Sequence, residues 1–171
     1  MIGLVGKLPD ATRACRLGFA RDGDAIALVG RFEPVLDASE VEKLRGRPPA
    51  GRLPATDVRA IRDAQAAVRE AVRSGGLSSA HDIAEGGLAV ALAECCAAGG
   101  IGAGVTVPEG LDPFGEAPGR AYVVSGPEAQ VSRLGPLIGR VGGPALQIDG
   151  LLTVAVSALV QARDGGLRGL V

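Results

Sequence analysis

Residues 78–96 read SSAHDIAEGGLAVALAECC, and no other stretch restricts the fold as much. A short polar connector ends at Gly86-Gly87, and an apolar run with helical spacing begins at once. Leu88, Leu92 and Cys95 stand at i, i+4 and i+7, the stripe of a helix that faces a core, and Gly99-Gly100 stop it. The spacing predicts a helix over residues 87–98 with no side chain at its entrance. A helix that opens on glycines leaves backbone N–H groups unpaired and partly positive. That end suits a phosphate or another anion.

The connector also carries His81, the chain's only histidine, together with Asp82 and Glu85. Two carboxylates beside an anion site suit a hard cation held through oxygen, and nucleotide phosphates come with such a cation. Plainer readings of the same residues stand beside this one. Asp82 and Glu85 also read as acids capping the helix. His81 also reads as a loop histidine hydrogen-bonded within its turn. The glycine pair also serves a sharp backbone turn. Neighbours on extended backbone point to opposite faces, so His81 and Asp82 are not expected to bond one another. A serine-nucleophile triad therefore has little support. One histidine and no paired thiols argue against a structural zinc site.

Ile2–Val5 and Ala25–Val29 are short apolar runs that read as strands. Residues 32–55, rich in Pro, Gly and charge, read as a long surface connection with a short helix over 38–45. Thr56 is the expected N-cap of a helix over 56–74. Val58, Ile61, Val68 and Val72 mark its inner face, and Gly75-Gly76 mark its stop. Ala103–Val107, Ala121–Ser125, Leu146–Ile148 and Thr153–Val156 read as strands, with helix after Pro127 and from Ser157. Helices mixed with four or more strands indicate an α/β or α+β domain: a mixed sheet covered by the helices at 56–74 and 87–98.

A chain of 171 residues affords one domain with a sizeable core. The net charge of −1 gives no footprint for nucleic acid or an anionic membrane. Three Phe, one Tyr and no Trp leave no stacking platform for single strands. No run is long enough to span a bilayer. Cys15, Cys95 and Cys96 make a poor disulfide framework, so reduced thiols in the cytoplasm are expected. Gly3 and Gly6 in IGLVG do not form a dinucleotide fingerprint, because no third, helix-opening glycine follows. In FGEAPGR at 114–120, Glu116 and Arg120 read as a pair across a Pro-Gly turn, or as a ligand or domain contact.

At HDIAEGGLAVALAE the chain resembles the C-terminal domain of the phosphoribosylformylglycinamidine synthase family, large or II subunit. This family is related to aminoimidazole ribonucleotide synthetase. The resemblance runs in order through IGLVG at 2–6, GFARDGDAIALVG at 18–30 and LDASEVEKLRGRPPAGRLPATD at 36–57. It continues through SSAHDIAEGGLAVALAE at 78–94 and FGEAPGR at 114–120. Many members have Ser-Asp where Ala84-Glu85 stands here, and Glu85 keeps the carboxylate.

The resemblance implies an ATP-dependent carbon–nitrogen ligase of purine biosynthesis. Formylglycinamide ribonucleotide, ATP and ammonia become the formylglycinamidine, ADP and phosphate. It implies ATP and Mg²⁺ as the cofactors of the full-length enzyme, with none tightly bound to this chain alone. It implies an N-terminal portion of the same synthetase and a glutaminase subunit as partners, with a homodimer left open. Phosphate contact falls to His81, Gly86 and Gly87, metal contact to Asp82 and Glu85, and an interface to Glu116 and Arg120. No catalytic residue is expected within residues 1–171, read as a single C-terminal domain whose N-terminal ATP-binding domains are absent. The alternatives are a stand-alone assembly domain that docks through FGEAPGR and Ile2–Val5, or another member such as aminoimidazole ribonucleotide synthetase.

Overall fold

In the computed structural model, which describes residues 3, 5–7, 10–51 and 55–166, the run AIALVG forms strand β1 (Ala25–Gly30). All but its last residue are buried. An apolar run without alternation needs cover on both sides, and β1 receives it. Ile26 and Leu28 join one hydrophobic cluster, while Ala25, Ala27 and Val29 join a second on the opposite face.

The elements follow as α1 (Glu40–Leu44), α2 (Val58–Arg73), β2 (Ser79–Asp82), α3 (Gly87–Gly99), β3 (Ala103–Val105) and β4 (Ala121–Gly126). After them come α4 (Glu128–Val131), β5 (Leu137–Val141), β6 (Ala145–Ile148), β7 (Leu152–Ala155) and α5 (Val156–Gly165). The described strands make one seven-stranded sheet in the order β2-β4-β1-β5-β3-β6-β7. β3 and β6 run parallel and the remaining neighbours antiparallel, so the expected mixed sheet is present. On one face lie α3 and α5, with Leu88, Leu92, Cys95 and Val156 packed on Ile26, Val123, Ile138 and Leu146. On the other lie α2 and α4, with Val68 and Val131 against Ala27, Val29 and Val124. The helices expected at 56–74 and 87–98 therefore cover opposite faces.

Local chemistry sets the helix ends. Asp57, not Thr56, caps α2: its carboxylate accepts from the Ala60 N–H at 3.0 Å. Val58 then lies outside the core at 61% exposure, and Ala64 takes a buried place on the inner face. α3 is buried on more than one side: Ala89, Ala91 and Cys96 are buried along with the Leu88–Leu92–Cys95 stripe. Such a helix has no wet face to fill with charge, and Glu94 is the one charged residue in it.

Two strands are absent from the sequence-based expectation. β5 lies in the run GPLIGRVGG, whose glycines and proline interrupt any apolar pattern. Gly139 is there because a Cβ would overlap the Gly104 carbonyl oxygen on β3. β2 (SAHD) shows no apolar alternation, and it is one of the sheet's two edge strands. Its buried Ser79 is satisfied across the sheet by Ser125, hydroxyl to hydroxyl at 2.6 Å. Of the expected Ile2–Val5 strand, Ile2 and Leu4 lie outside the described residues, as does Pro54 of the long connection.

Cys95 and Cys96 are fully buried, and Cys15 is half-buried. Burial raises all three thiols above the ordinary value, Cys96 to about 12. A thiolate reacts and a thiol does not. A thiol reagent at neutral pH is therefore expected to leave Cys95 and Cys96 unlabelled in the folded chain. In denaturant all three cysteines should label, and intact-mass spectrometry counts the adducts.

Candidate functional site

β2 carries His81 and Asp82 to the edge of the sheet, in register with Val123 and Tyr122 of β4. The next residue, Ile83, is fully buried, and its N–H donates to the Ala121 carbonyl at 2.9 Å. The chain then turns through Ala84 and Glu85 into α3. Gly86 and Gly87 both take left-handed backbone, at φ 78° and 70°. Asp82 and Glu85 are exposed on this turn, and the two glycines are buried beneath it.

Three of the N–H groups at the helix entrance have partners in the chain. Gly86 N–H donates to the Glu116 carboxylate at 2.8 Å. Gly87 N–H donates to the Ala84 carbonyl, and Ala89 N–H to the Pro113 carbonyl. The same Glu116 oxygen accepts from the Glu40 N–H at 2.8 Å, at the start of α1. One carboxylate thus meets the partly positive ends of two helices. Its backbone also pairs with Val35, whose N–H donates to the Glu116 carbonyl and whose carbonyl accepts from the Glu116 N–H. Glu116 ties the long 32–55 connection to the turn that carries Asp82. An anion that reached Gly86 N–H would have to displace it.

His81 and Asp82 come within hydrogen-bond distance, contrary to the expectation from extended backbone. Asp82 is the last residue of β2, so its side chain is not confined to the strand's alternation. His81 Nδ1 lies 3.1 Å from Asp82 Oδ1, and its Nε2 lies 2.9 Å from Glu94 Oε2 on α3. The imidazole is 12% exposed, while both carboxylates are more than half exposed. A carboxylate only accepts, so a neutral ring can donate to one of them; bonds to both require a proton on each nitrogen.

Sequence reasoning missed Glu94, although a lone charge in an otherwise apolar helix was its available signal. Nothing local pointed to the Gly86 and Glu40 N–H groups as donors to Glu116, which lie 30 and 76 residues away in the chain. Arg120 lines a cleft of about 240 Å³ with Arg31, Glu33, Asp57 and Ile61, beside the start of α2.

Among the described residues, no three His, Cys, Asp or Glu side chains converge on a point where a metal would sit. The described residues build no cation cage of their own. An exposed Asp82 does fit Mg²⁺ in its usual protein setting, where one or two carboxylates share the ion with water and phosphate oxygens.

Residues 21–144 match the family described as AIR synthase related protein, C-terminal domain. The chain is similar to the phosphoribosylformylglycinamidine synthase subunit PurL of Anaeromyxobacter sp. (strain Fw109-5). It is 41% identical to it over 96% of this chain and 24% of that protein. The chain spans about a quarter of the length of the curated relatives it matches. Among solved structures, Thermotoga maritima PurL complexed with FGAR superposes with a TM-score of 0.72 at 19% identity, over 88% of this chain and 30% of that one. The T. maritima PurLQS structure gives 0.67 and PurL complexed with ATP 0.65, each at 19% identity over 88% of this chain and 28% of theirs. These likenesses establish a shared fold.

Proposed function

The chain belongs to the AIR synthase related protein C-terminal domain family, and from that premise we propose that it serves as the C-terminal domain of a phosphoribosylformylglycinamidine synthase. The reaction is ATP-dependent formation of formylglycinamidine ribonucleotide from formylglycinamide ribonucleotide and ammonia, a cytoplasmic step of purine biosynthesis. The amide oxygen takes a phosphoryl group from ATP, and ammonia then displaces phosphate. The observation that carries this reading is the match of nearly the whole chain, at 41% identity, to one quarter of a synthase subunit.

In this reading the three-quarters of the relatives outside the match corresponds to an N-terminal portion that binds ATP. The present chain closes the cleft from the other side. The PurLQS neighbour supports a glutaminase subunit as the source of ammonia, and the ATP-complexed neighbour supports ATP as the phosphoryl donor. Mg²⁺, when bound, spreads the charge of the nucleotide phosphates. Asp82, exposed at the sheet edge, is the carboxylate that would meet it, with Glu85 alongside. His81 holds Asp82. Gly86 and Gly87 shape the turn, and a phosphate contact at Gly86 would need Glu116 to swing aside. Glu116 and the cleft at Arg120 face the companion portion. No residue of this chain performs a covalent step.

Splitting the subunit tests this assignment. The chain and the N-terminal portion of a full-length relative, expressed separately and mixed, are expected to restore amidine formation from ammonia and ATP. Each piece alone should give none. Activity in the chain by itself, or restored synthesis of aminoimidazole ribonucleotide instead, would overturn the reading.

A further inference from the structure

At the opposite end of β2 from Asp82, the segment around Arg16 lies along the open edge of the sheet. The Arg16 carbonyl accepts from the Ala80 N–H at 2.9 Å, and Arg16 bridges to Ser79. Between this segment and the link from α2 to β2 lies a cleft of about 320 Å³. Arg13, Arg16 and Arg21 line it on one side, with Leu77 and Ser78 on the side of the link. We propose that this cleft is a binding site for a small phosphate monoester of the sugar-phosphate class. The proposal stands apart from the reading of Asp82.

Charge is the first observation. Three arginines line the cleft and no carboxylate does, in a chain whose net charge is −1. Among the described residues, neither Arg16 nor Arg21 has a carboxylate within ion-pair distance. Asp22, the neighbour of Arg21, is turned against Gly142 beyond the end of β5. Asp10 lies 3.5 Å from Arg13 Nε, and its carboxylate already accepts from the Thr12 N–H and hydroxyl. Like charges gathered in one cleft repel, and a bound dianion relieves that repulsion. The carbonyls that end α2 would disfavour an anion. Arg13 covers one of them: its Nη1 donates to the Arg73 carbonyl at 2.7 Å. That bond uses one of five guanidinium donors.

Ligand chemistry follows from the lining. A phosphate monoester carries about −1.5 to −2 charges at neutral pH and three acceptor oxygens. Guanidinium forks match those oxygens in pairs. A carboxylate brings a single charge and fewer oxygens. The volume stands at the lower end of small-ligand sites, which run from about 300 to 1,000 Å³. It admits a phosphate with a body the size of a sugar. No aromatic side chain lines the cleft, so nothing there would stack a nucleobase.

Titration of the 171-residue chain with ribose 5-phosphate, followed by backbone amide NMR, tests the site. Saturable binding is expected, with the shifts centred on Arg16, Arg21 and Ser78. Inorganic phosphate should compete, and chloride at the same ionic strength should not. Arg16→Gln and Arg21→Gln are each expected to weaken binding about tenfold. Both residues are exposed, so the melting temperature should hold and the loss reports on the ligand. Arg62→Gln makes the same change of charge on the exposed face of α2 and should leave the affinity within about twofold, because screened charges act weakly at that range. An equal loss from Arg62→Gln would reduce the effect to general attraction and overturn the proposal. Shifts that never saturate, or that centre on Gly86 and Gly87, would overturn it too. The same titration on a full-length subunit carrying this domain should give the same site. Binding that is lost there would assign the cleft to a contact with the companion portion and contradict a ligand site.

Discussion

Gly87→Ala is expected to destabilise the chain by about 3 kcal/mol, the sum of two costs. Gly87 sits at φ 70°, where a residue with a Cβ pays about 1–2 kcal/mol. A Cβ there would also overlap the Gly115 carbonyl oxygen and lie 2.7 Å from that of Pro113. Those atoms belong to backbone and cannot swing aside. Overpacking of this kind costs about 1–3 kcal/mol. For a domain of this size the midpoint of thermal unfolding should fall by about 6–12 °C. Gly75→Ala separates the two costs. Gly75 has φ 74°, and no other atom lies within 4 Å of a Cβ built there, so only the conformational part should appear. Equal losses at the two positions in circular-dichroism melts would mean that the 112–116 loop does not press on the turn.

Leu92→Ala is the second large effect. Leu92 has 0% exposure and sits at the middle of α3, inside the cluster that joins the sheet to α5. Leucine-to-alanine changes at closed sites cost about 2–5 kcal/mol, more where the surroundings cannot collapse. Strands on one side and α5 on the other hold this site open, which places the expected loss at about 3–4 kcal/mol. Leu44→Ala is the matched control: Leu44 is 86% exposed, and the expected change is within about 0.5 kcal/mol. Urea unfolding gives both values. A loss below about 1 kcal/mol at Leu92 would mean that α3 is not the packed centre of that face.

The parts of the fold visible in the sequence are those whose apolar pattern is local. AIALVG and AYVVS read as strands, and α2 and α3 announce themselves by spacing and by the glycines that stop them. β5 was hidden because Gly139 is required by a neighbouring strand, and the glycines and proline around it interrupt any apolar pattern. β2 was hidden because an edge strand reading SAHD has no apolar period to read. One helix cap and one inner-face position moved for chemical reasons. Asp57 is a better acceptor for the Ala60 N–H than Thr56 is placed to be, and Val58 falls outside the face that Ala64 fills.

The turn at residues 82–87 was legible as a special place. What it does locally was not. The Gly86 N–H at the helix entrance is taken by Glu116, whose carboxylate comes from a distant loop. The approach of His81 to Asp82 depends on Asp82 being the last residue of its strand, which the sequence does not mark. Both departures come from contacts across the fold, where spacing along the chain carries no information.

A single substitution in the full-length subunit reads the role of Asp82 most directly. Asp82→Asn keeps the side chain's size and its ability to accept a hydrogen bond, and removes the charge that a divalent cation needs. The rate of amidine formation is then measured against Mg²⁺ concentration at saturating substrates. The expected result is a shift of half-saturation to about tenfold higher Mg²⁺ or beyond, with the melting temperature unchanged because Asp82 is exposed. An Asp82→Asn enzyme that matches the parent at every Mg²⁺ concentration would contradict the claim that this turn meets a cation at the seam.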